Sequence, residues 1–156
     1  MNATLRFTSH WPYNPVSFLV ARLGGSRLFS HSMLIINGVA YEARMIHGCR
    51  AVPVDEAMRG VVMYQDMPLE IPDIEECLTF GIQQNGKGYD YAGVLGIPIL
   101  YSTEWANDNR WWCSELNFMM LHKGGLDMGI DPAFTKRVTP EMLRMMDFPK
   151  GEIVYV

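Results

Sequence analysis

The dipeptide Asn37-Gly38, set between two apolar runs, is the strongest constraint that this sequence places on a fold. Asn-Gly is the favoured pair for a two-residue type I′ turn, because both central residues of that turn need a positive φ angle. The flanking residues are apolar and partly β-branched, which is typical of strands. The sequence therefore predicts a β-hairpin over residues 31–44, in which Ile36 pairs with Val39.

The register of this hairpin brings a histidine and a glutamate together. Counting outward from the turn, Met33 lies opposite Glu42 and His31 lies opposite Arg44. Side chains alternate between the two faces of a strand, so His31 and Glu42 share a face as diagonal neighbours, roughly 7–8 Å apart at the backbone. A slip of one residue would move Glu42 to the other face. In the predicted register, His31 and Glu42 are within reach of each other.

Cys113 opens an apolar run that predicts a helix. The run extends to His122, and Gly124-Gly125 follow it as a stop signal. A cysteine near a helix N-terminus lies at the positive end of the helix dipole, which favours the thiolate over the thiol. The thiolate is the form that attacks a carbonyl carbon. Trp112, directly before Cys113, either lines an acyl or aromatic pocket or packs in the core.

The rest of the pattern indicates short strands and a few definite helices, which favours an α+β fold over a doubly wound sheet. Residues 1–14 are predicted to be irregular. In a helix predicted at 72–84, Ile74, Cys77, Leu78 and Ile82 share an apolar face. The other predicted elements are helices at 15–23, at 55–58 and after Thr139-Pro140, strands at 50–54, 61–69 and 152–156, and a loop at 101–110.

Composition narrows the functional classes. A chain of 156 residues with 49% apolar and 19% charged residues predicts one folded domain, 1–156. The net charge is −4 with no basic stripe, which argues against a nucleic-acid partner. Three cysteines without a CxxC pair argue against a disulfide framework and a zinc finger, and we expect neither metal nor cofactor. With no visible signal peptide or membrane span, the expected location is the cytoplasm.

Cys113, His31 and Glu42 have the chemical make-up of a nucleophile, a base and an orienting group. The histidine would take the thiol proton, and a carboxylate on its other ring nitrogen would fix the tautomer. The backbone N–H of Cys113 at the helix start would help to hold an oxyanion. The alternative is that Cys113 is an inert core residue, as a lone cysteine on a helix usually is. A third hypothesis places a redox or metal site at His47 and Cys49.

Four short segments occur in an order that carries a family resemblance: Phe29-Ser30-His31-Ser32, Tyr41-Glu42-Ala43, Gly88-Tyr89-Asp90-Tyr91 and Trp112-Cys113-Ser114-Glu115-Leu116. This order resembles the circularly permuted branch of the NlpC-type papain-like cysteine peptidases and amidases, which is related to the lecithin–retinol acyltransferase group. In that branch the histidine precedes the cysteine, the reverse of papain. The resemblance covers about residues 22–143 and implies a permuted papain-like fold, with an antiparallel sheet packed against the cysteine-bearing helix.

The resemblance also implies roles for individual residues. The family's nucleophile falls on Cys113, its base on His31 and its third polar residue on Glu42. Tyr89 matches a tyrosine that often lies near the family's active site, and with Trp112 it is a candidate for positioning substrate. The implied activity is hydrolysis or acyl transfer at an amide or ester bond, through a thioester, on a small-molecule, lipid or peptide substrate.

Two further expectations concern setting and activity. Relatives that act on envelope substrates commonly carry a signal peptide or lipid anchor, and none is visible here. The expected substrate is therefore cytoplasmic, or the protein acts from a virus particle or through lysis. The alternative to an enzyme is a binding or assembly module that retains the papain-like fold without turnover. The sequence does not indicate an oligomeric state.

Overall fold

The structure, a computed structural model, describes residues 2–10, 28–91 and 109–156. Its strands are β1 (Asn2–Ser9), β2 (His31–Ile36), β3 (Val39–Arg44), β4 (Gly48–Pro53), β5 (Met63–Glu70), β6 (Gly88–Tyr89), β7 (Arg110–Trp111) and β8 (Val154–Tyr155). Its helices are α1 (Val54–Ala57), α2 (Ile74–Gln83), α3 (Cys113–Lys123) and α4 (Pro140–Arg144), with a 3-10 helix at Pro132–Arg137.

Six of these strands form one antiparallel sheet in the order β4-β3-β2-β1-β5-β8. Strands β6 and β7 form a small parallel pair beside it. This arrangement confirms the predicted mixture of α+β elements with an antiparallel sheet.

Strands β2 and β3 form the predicted hairpin in the predicted register. Both turn residues have positive φ angles, 50° at Asn37 and 78° at Gly38. A type I′ turn requires this conformation, which twists in the same sense as the strands that it joins. The paired residues are Ile36 with Val39, Ile35 with Ala40 and Leu34 with Tyr41.

The prediction that residues 1–14 are irregular was wrong for the described residues. Strand β1 lies inside the sheet, paired with β2 on one side and with β5 on the other. Its alternate residues Ala3, Leu5 and Phe7 are buried. The alternation of these apolar residues with polar ones is the period-two pattern of a strand with one buried face, and the sequence analysis overlooked it.

Helix α3 packs against β2 and β3, and the main core lies between this helix and the face of the sheet that it covers. Buried Leu34 from β2 belongs to this core together with Leu116 and Met120 from the helix. The opposite face carries a smaller cluster in which Met33 and Ala40 lie under Ala57 of α1. The predicted contact between the sheet and the cysteine-bearing helix is therefore present.

The predicted face of α2 is correct for Cys77 and wrong for Ile82. Cys77 is buried, whereas Ile82 is 60% exposed. The helix turns buried Gly81 toward α3 instead, and a Cβ at Gly81 would lie only 2.5 Å from the Met120 Cε. A residue without a side chain lets the two helices approach closely, which the apolar periodicity alone does not reveal.

Five other predicted elements match the structure. The strands at 50–54 and 61–69 correspond to β4 and β5, and the helix at 55–58, the Thr139-capped helix and the C-terminal strand correspond to α1, α4 and β8. The predicted helix at 15–23 and residues 101–108 of the predicted loop lie outside the described residues. Within the described ranges, no helix combines the length and apolarity that a membrane crossing requires.

Candidate active site

His31 and Glu42 form a buried hydrogen bond across the hairpin. The Nε2–H of His31 donates to Oε2 of Glu42 at 2.6 Å. His31 is the first residue of β2, and Glu42 lies within β3 with no solvent exposure. The two side chains meet because the Asn37-Gly38 turn fixes the hairpin register, as predicted for this pair.

Cys113 is the first residue of α3, and its sulfur is surrounded by hydrogen-bond donors. The Cys113 side chain hydrogen-bonds to the His31 ring and receives hydrogen bonds from the backbone N–H groups of Ser32 and Ser114. Glu42 occupies Nε2 of His31, so Nδ1 is the ring nitrogen that remains for a hydrogen bond with the Cys113 sulfur. The structure therefore brings Cys113, His31 and Glu42 into one connected chain of contacts.

This arrangement favours a charged pair between Cys113 and His31. Burial raises the pKa of the Cys113 thiol, but the charge and hydrogen bond of His31 and the two backbone amides outweigh burial and lower it. Burial lowers the pKa of His31, but the neighbouring Cys113 and Glu42 outweigh burial and raise it to about 9. Both shifts favour the thiolate and the imidazolium over the neutral pair, and the thiolate is the form in which a cysteine acts as a nucleophile.

In the other two cysteines the thiol pKa is shifted in the direction opposite to that of Cys113. Burial raises the pKa of Cys49 to about 12, and burial likewise raises the pKa of Cys77 to about 12. A redox or metal site at His47 and Cys49 receives no support, because Cys49 is buried in β4 whereas His47 is exposed on the preceding turn. Among the described residues, no group of three His, Cys, Asp or Glu side chains could hold a metal ion.

Two arginines compensate the buried charge of Glu42, and sequence reasoning did not identify them. Arg50 donates to Oε1 of Glu42 from Nε at 2.8 Å and from Nη2 at 2.6 Å, while Arg44 Nε lies 3.7 Å from Oε2. Burial raises the pKa of the Glu42 carboxyl, but the hydrogen bond from His31 and the nearby positive charges lower it to about 2. The pairing of β3 with β4 places Arg50 opposite Glu42, and no local sequence pattern indicates that register.

His10, to which the sequence analysis assigned no role, contacts Arg44. Arg44 Nη2 donates to Nε2 of His10 at 2.6 Å. Burial and the neighbouring positive charge of Arg44 lower the pKa of His10 to about 4. A neutral His10 can accept this hydrogen bond, whereas a protonated one could not.

Tyr89 lies in the electrostatic neighbourhood of Cys113. It is a buried residue of β6, and its ring packs edge-on against Tyr91 with 5.1 Å between centroids. Burial raises the pKa of the Tyr89 hydroxyl, and the charge of Cys113 raises it further. Tyr89 therefore stays a neutral phenol, which can both donate and accept hydrogen bonds.

Trp112 and Ser114, the neighbours of Cys113 in the chain, anchor the start of α3. Trp112 is 3% exposed and belongs to the main core, which matches the core alternative for its ring. Ser114 Oγ donates to the backbone oxygen of Val138 at 2.6 Å. Asn117, one turn further, donates from Nδ2 to Ser32 Oγ at 2.9 Å and so ties α3 to β2.

Comparisons of this chain with protein-family models, with curated proteins and with solved structures found no match in any of the three. The class that the structure defines is a mixed α+β protein with a six-stranded antiparallel sheet. Its candidate site lies where the first residue of α3 meets the first residue of β2.

Proposed function

We propose that this protein is a cysteine hydrolase or acyltransferase that cleaves an amide or ester bond through a thioester on Cys113. The observation that carries the proposal is the continuous set of contacts from the Cys113 sulfur to His31 and from His31 to Glu42 at 2.6 Å. The resemblance of the motif order to the permuted NlpC-type papain-like peptidases supports the same assignment, together with a fold of that kind.

In the proposed reaction, the Cys113 thiolate attacks the carbonyl carbon and forms a tetrahedral intermediate. The first amides of α3 have no partner within the helix and would stabilise the oxyanion. The His31 imidazolium gives its Nδ1 proton to the leaving amine or alkoxide as the carbon–heteroatom bond breaks. The products of this half-reaction are a thioester on Cys113 and a neutral His31.

The second half-reaction regenerates the ion pair. Neutral His31 takes a proton from water, or from an acceptor alcohol or amine, while the oxygen or nitrogen attacks the thioester carbon. The carbon–sulfur bond breaks and the electrons return to sulfur as thiolate. Glu42 holds Nε2 of His31 throughout and stabilises the imidazolium form. Whether water or another acceptor arrives decides between hydrolysis and acyl transfer.

The proposed substrate is a small molecule, lipid or peptide that carries an acyl group. The proposed settings are the cytoplasm, a virus particle or a lysed cell. Besides His31, the groups that contact or neighbour the sulfur include the backbone amides of Ser32 and Ser114 and the phenol of Tyr89. These groups are polar and uncharged.

The direct test is to detect the thioester. We expect incubation with a panel of small activated esters and amides to add one acyl mass to the intact protein, at the Cys113 peptide. Cys113→Ala should remove the adduct, whereas the matched variant Cys77→Ala should keep it, because Cys77 is buried in α2 with a raised pKa. A folded wild-type protein that gives no adduct, or gives the same adduct in Cys113→Ala, would favour the binding or assembly module instead.

A further inference from the structure

Arg50 binds the Glu42 carboxylate through only one of its two oxygens. Both Nε and Nη2 of Arg50 donate to Oε1, at 2.8 and 2.6 Å. The other oxygen, Oε2, accepts the hydrogen bond from His31. An arginine that bound both oxygens side by side would compete with His31, so this single-oxygen contact leaves the acceptor free for His31 and fixes the rotation of the carboxylate.

The Arg50 guanidinium is itself held in place. Its third nitrogen, Nη1, donates to Oε1 of Glu56 in α1 at 3.1 Å. Arg50 lies directly opposite Glu42 in the pairing of β3 with β4. All three guanidinium nitrogens therefore have carboxylate acceptors. Because these acceptors belong to β3 and α1, the two elements together fix the plane of the guanidinium group.

Arg44 contributes differently to the same carboxylate. Its Nε approaches Oε2 only to 3.7 Å, beyond hydrogen-bond distance, and its Nη2 is engaged by His10. Arg44 therefore supplies positive charge without setting the carboxylate's orientation. The charged and titratable groups that surround Glu42, directly or through an arginine, are His31 from β2, Arg44 from its own strand, Arg50 from β4, Glu56 from α1 and His10 after β1.

We propose that Arg50 is the positioning residue of the candidate site, which keeps the Glu42 carboxylate ionised and turned so that Oε2 accepts from His31. This inference rests on the proposed function for its catalytic meaning, because Arg50 acts through Glu42 and His31. Its geometric part, the control of the His31–Glu42 hydrogen bond, can be measured without any substrate.

The physical consequence of losing Arg50 follows from the burial of Glu42. The carboxylate has no solvent exposure, and removal of Arg50 takes away two charge-assisted hydrogen bonds. A buried carboxylate with less compensation takes up a proton at higher pH, and the protonated oxygen is a poorer acceptor for His31. Lysine at position 50 would keep the charge but lacks the planar fork, so its effect should be intermediate.

The experiment follows the His31 Nε2 proton by nuclear magnetic resonance as the pH is lowered. The variants are Arg50→Gln and Arg50→Lys, with Arg6→Gln and Arg6→Lys as matched controls. Arg6 has nearly the same exposure as Arg50, 16% against 15%, and forms a two-bond ion pair with Asp66 at 2.7 Å. The controls therefore remove a comparable ion pair from the same sheet without contacting Glu42.

We expect the His31 proton signal to disappear at a pH about one unit higher or more in Arg50→Gln than in the wild type. In Arg50→Lys the signal should disappear at a pH between these two values, and in both Arg6 variants it should disappear at the same pH as in the wild type. If Arg50→Gln does not fold, the inference is tested by comparing Arg50→Lys with Arg6→Lys, and the signal should disappear at a higher pH in Arg50→Lys. Unchanged signals in the Arg50 variants would overturn the inference.

Alkylation of Cys113 by iodoacetamide, measured on the same proteins, separates this inference from the proposed function. We expect the rate at pH 5.5, relative to the rate at pH 8, to fall in the Arg50 variants and not in the Arg6 variants, because a carboxylate that Arg50 no longer orients stabilises the His31 imidazolium less. A reactive Cys113 with no effect of Arg50 on either readout rejects the inference alone. An altered His31 signal beside a wild-type Cys113 of ordinary reactivity keeps the positioning role and rejects the proposed function.

Discussion

Glu42 carries a negative charge at a position that solvent does not reach. Its two oxygens accept hydrogen bonds from His31 and from Arg50, with Arg44 close by. Charged groups are rarely buried without such partners, since desolvation of an isolated carboxylate is costly. The residue is thus stabilised by the same contacts that orient His31, which couples the stability of the protein to the candidate chemistry.

This coupling predicts an acid-dependent stability difference between the wild type and Glu42→Gln. The pKa of Glu42 is lowered from 4.5 to about 2 in the folded protein. A lowered pKa adds stability above the unfolded value, near pH 4.5, and that stability is lost as the pH falls through about 2. Glutamine cannot ionise, so the gap in unfolding free energy should shrink by about 3 kcal/mol between pH 5 and pH 2.

Chemical denaturation at several pH values measures this difference. Glu70→Gln, at an exposed position at the end of β5, is the matched control and should follow the wild type throughout. A gap between wild type and Glu42→Gln that stays constant from pH 5 to pH 2 would contradict this account of the buried charge.

At the scale of elements, the approach of β6 to β4 depends on a glycine. Gly48 has a φ of +66°, and a Cβ there would lie 2.2 Å from the backbone oxygen of Lys87. The neighbouring Cys49 N–H donates to that same oxygen at 2.8 Å. The chain just before Tyr89 is therefore held directly against the start of β4.

We expect Gly48→Ala to reduce the free energy of unfolding by about 2 kcal/mol or more, because backbone must move in addition to the strain of a positive φ. Gly38→Ala is the matched control, since Gly38 has a φ of +78° but a Cβ added there would meet nothing within 4 Å. The control should lose only about 1 kcal/mol. Equal losses for the two variants in urea denaturation would show that close packing at Gly48 contributes nothing.

The elements that the sequence predicted are those whose signals are local. Asn37-Gly38 specified both a turn and a register, and the register alone determined that His31 meets Glu42. Cys113 before an apolar run closed by glycines likewise specified the start of α3. Turn chemistry and helix signals depend on a few adjacent residues, so they can be read without knowledge of the tertiary fold.

The features that the sequence did not reveal depend on contacts between distant segments. Strand β1 lies between β2 and β5 because of pairings that no short pattern encodes. The role of Arg50 depends on the register of β3 with β4, across a turn that ends at Gly48 with positive φ. Long-range pairing of this kind determines which polar residues surround a site. The contacts of Arg44 and Arg50 with Glu42 were therefore found only in the three-dimensional structure.

At the scale of the whole molecule, the fold joins a helix start and a strand start that are far apart in sequence. The meeting of Cys113 with His31 depends on α3 packing against β2, with the Asn117 to Ser32 hydrogen bond at 2.9 Å beside it. The sulfur receives the Ser32 backbone N–H through the same approach. The lowered pKa of Cys113 therefore depends on the assembled domain and should be lost with the contact to His31.

The most direct measurement is the rate of Cys113 alkylation by iodoacetamide from pH 4 to pH 10, in the wild type and in His31→Gln. In the wild type we expect the rate to be half-maximal well below pH 8.5, the ordinary pKa of a cysteine, because His31 lowers the pKa of Cys113. In His31→Gln the midpoint should rise to about 8.5 or above, since burial then acts without the compensating charge. Midpoints near or above 8.5 in both proteins would contradict the claim that Cys113 and His31 form an ion pair.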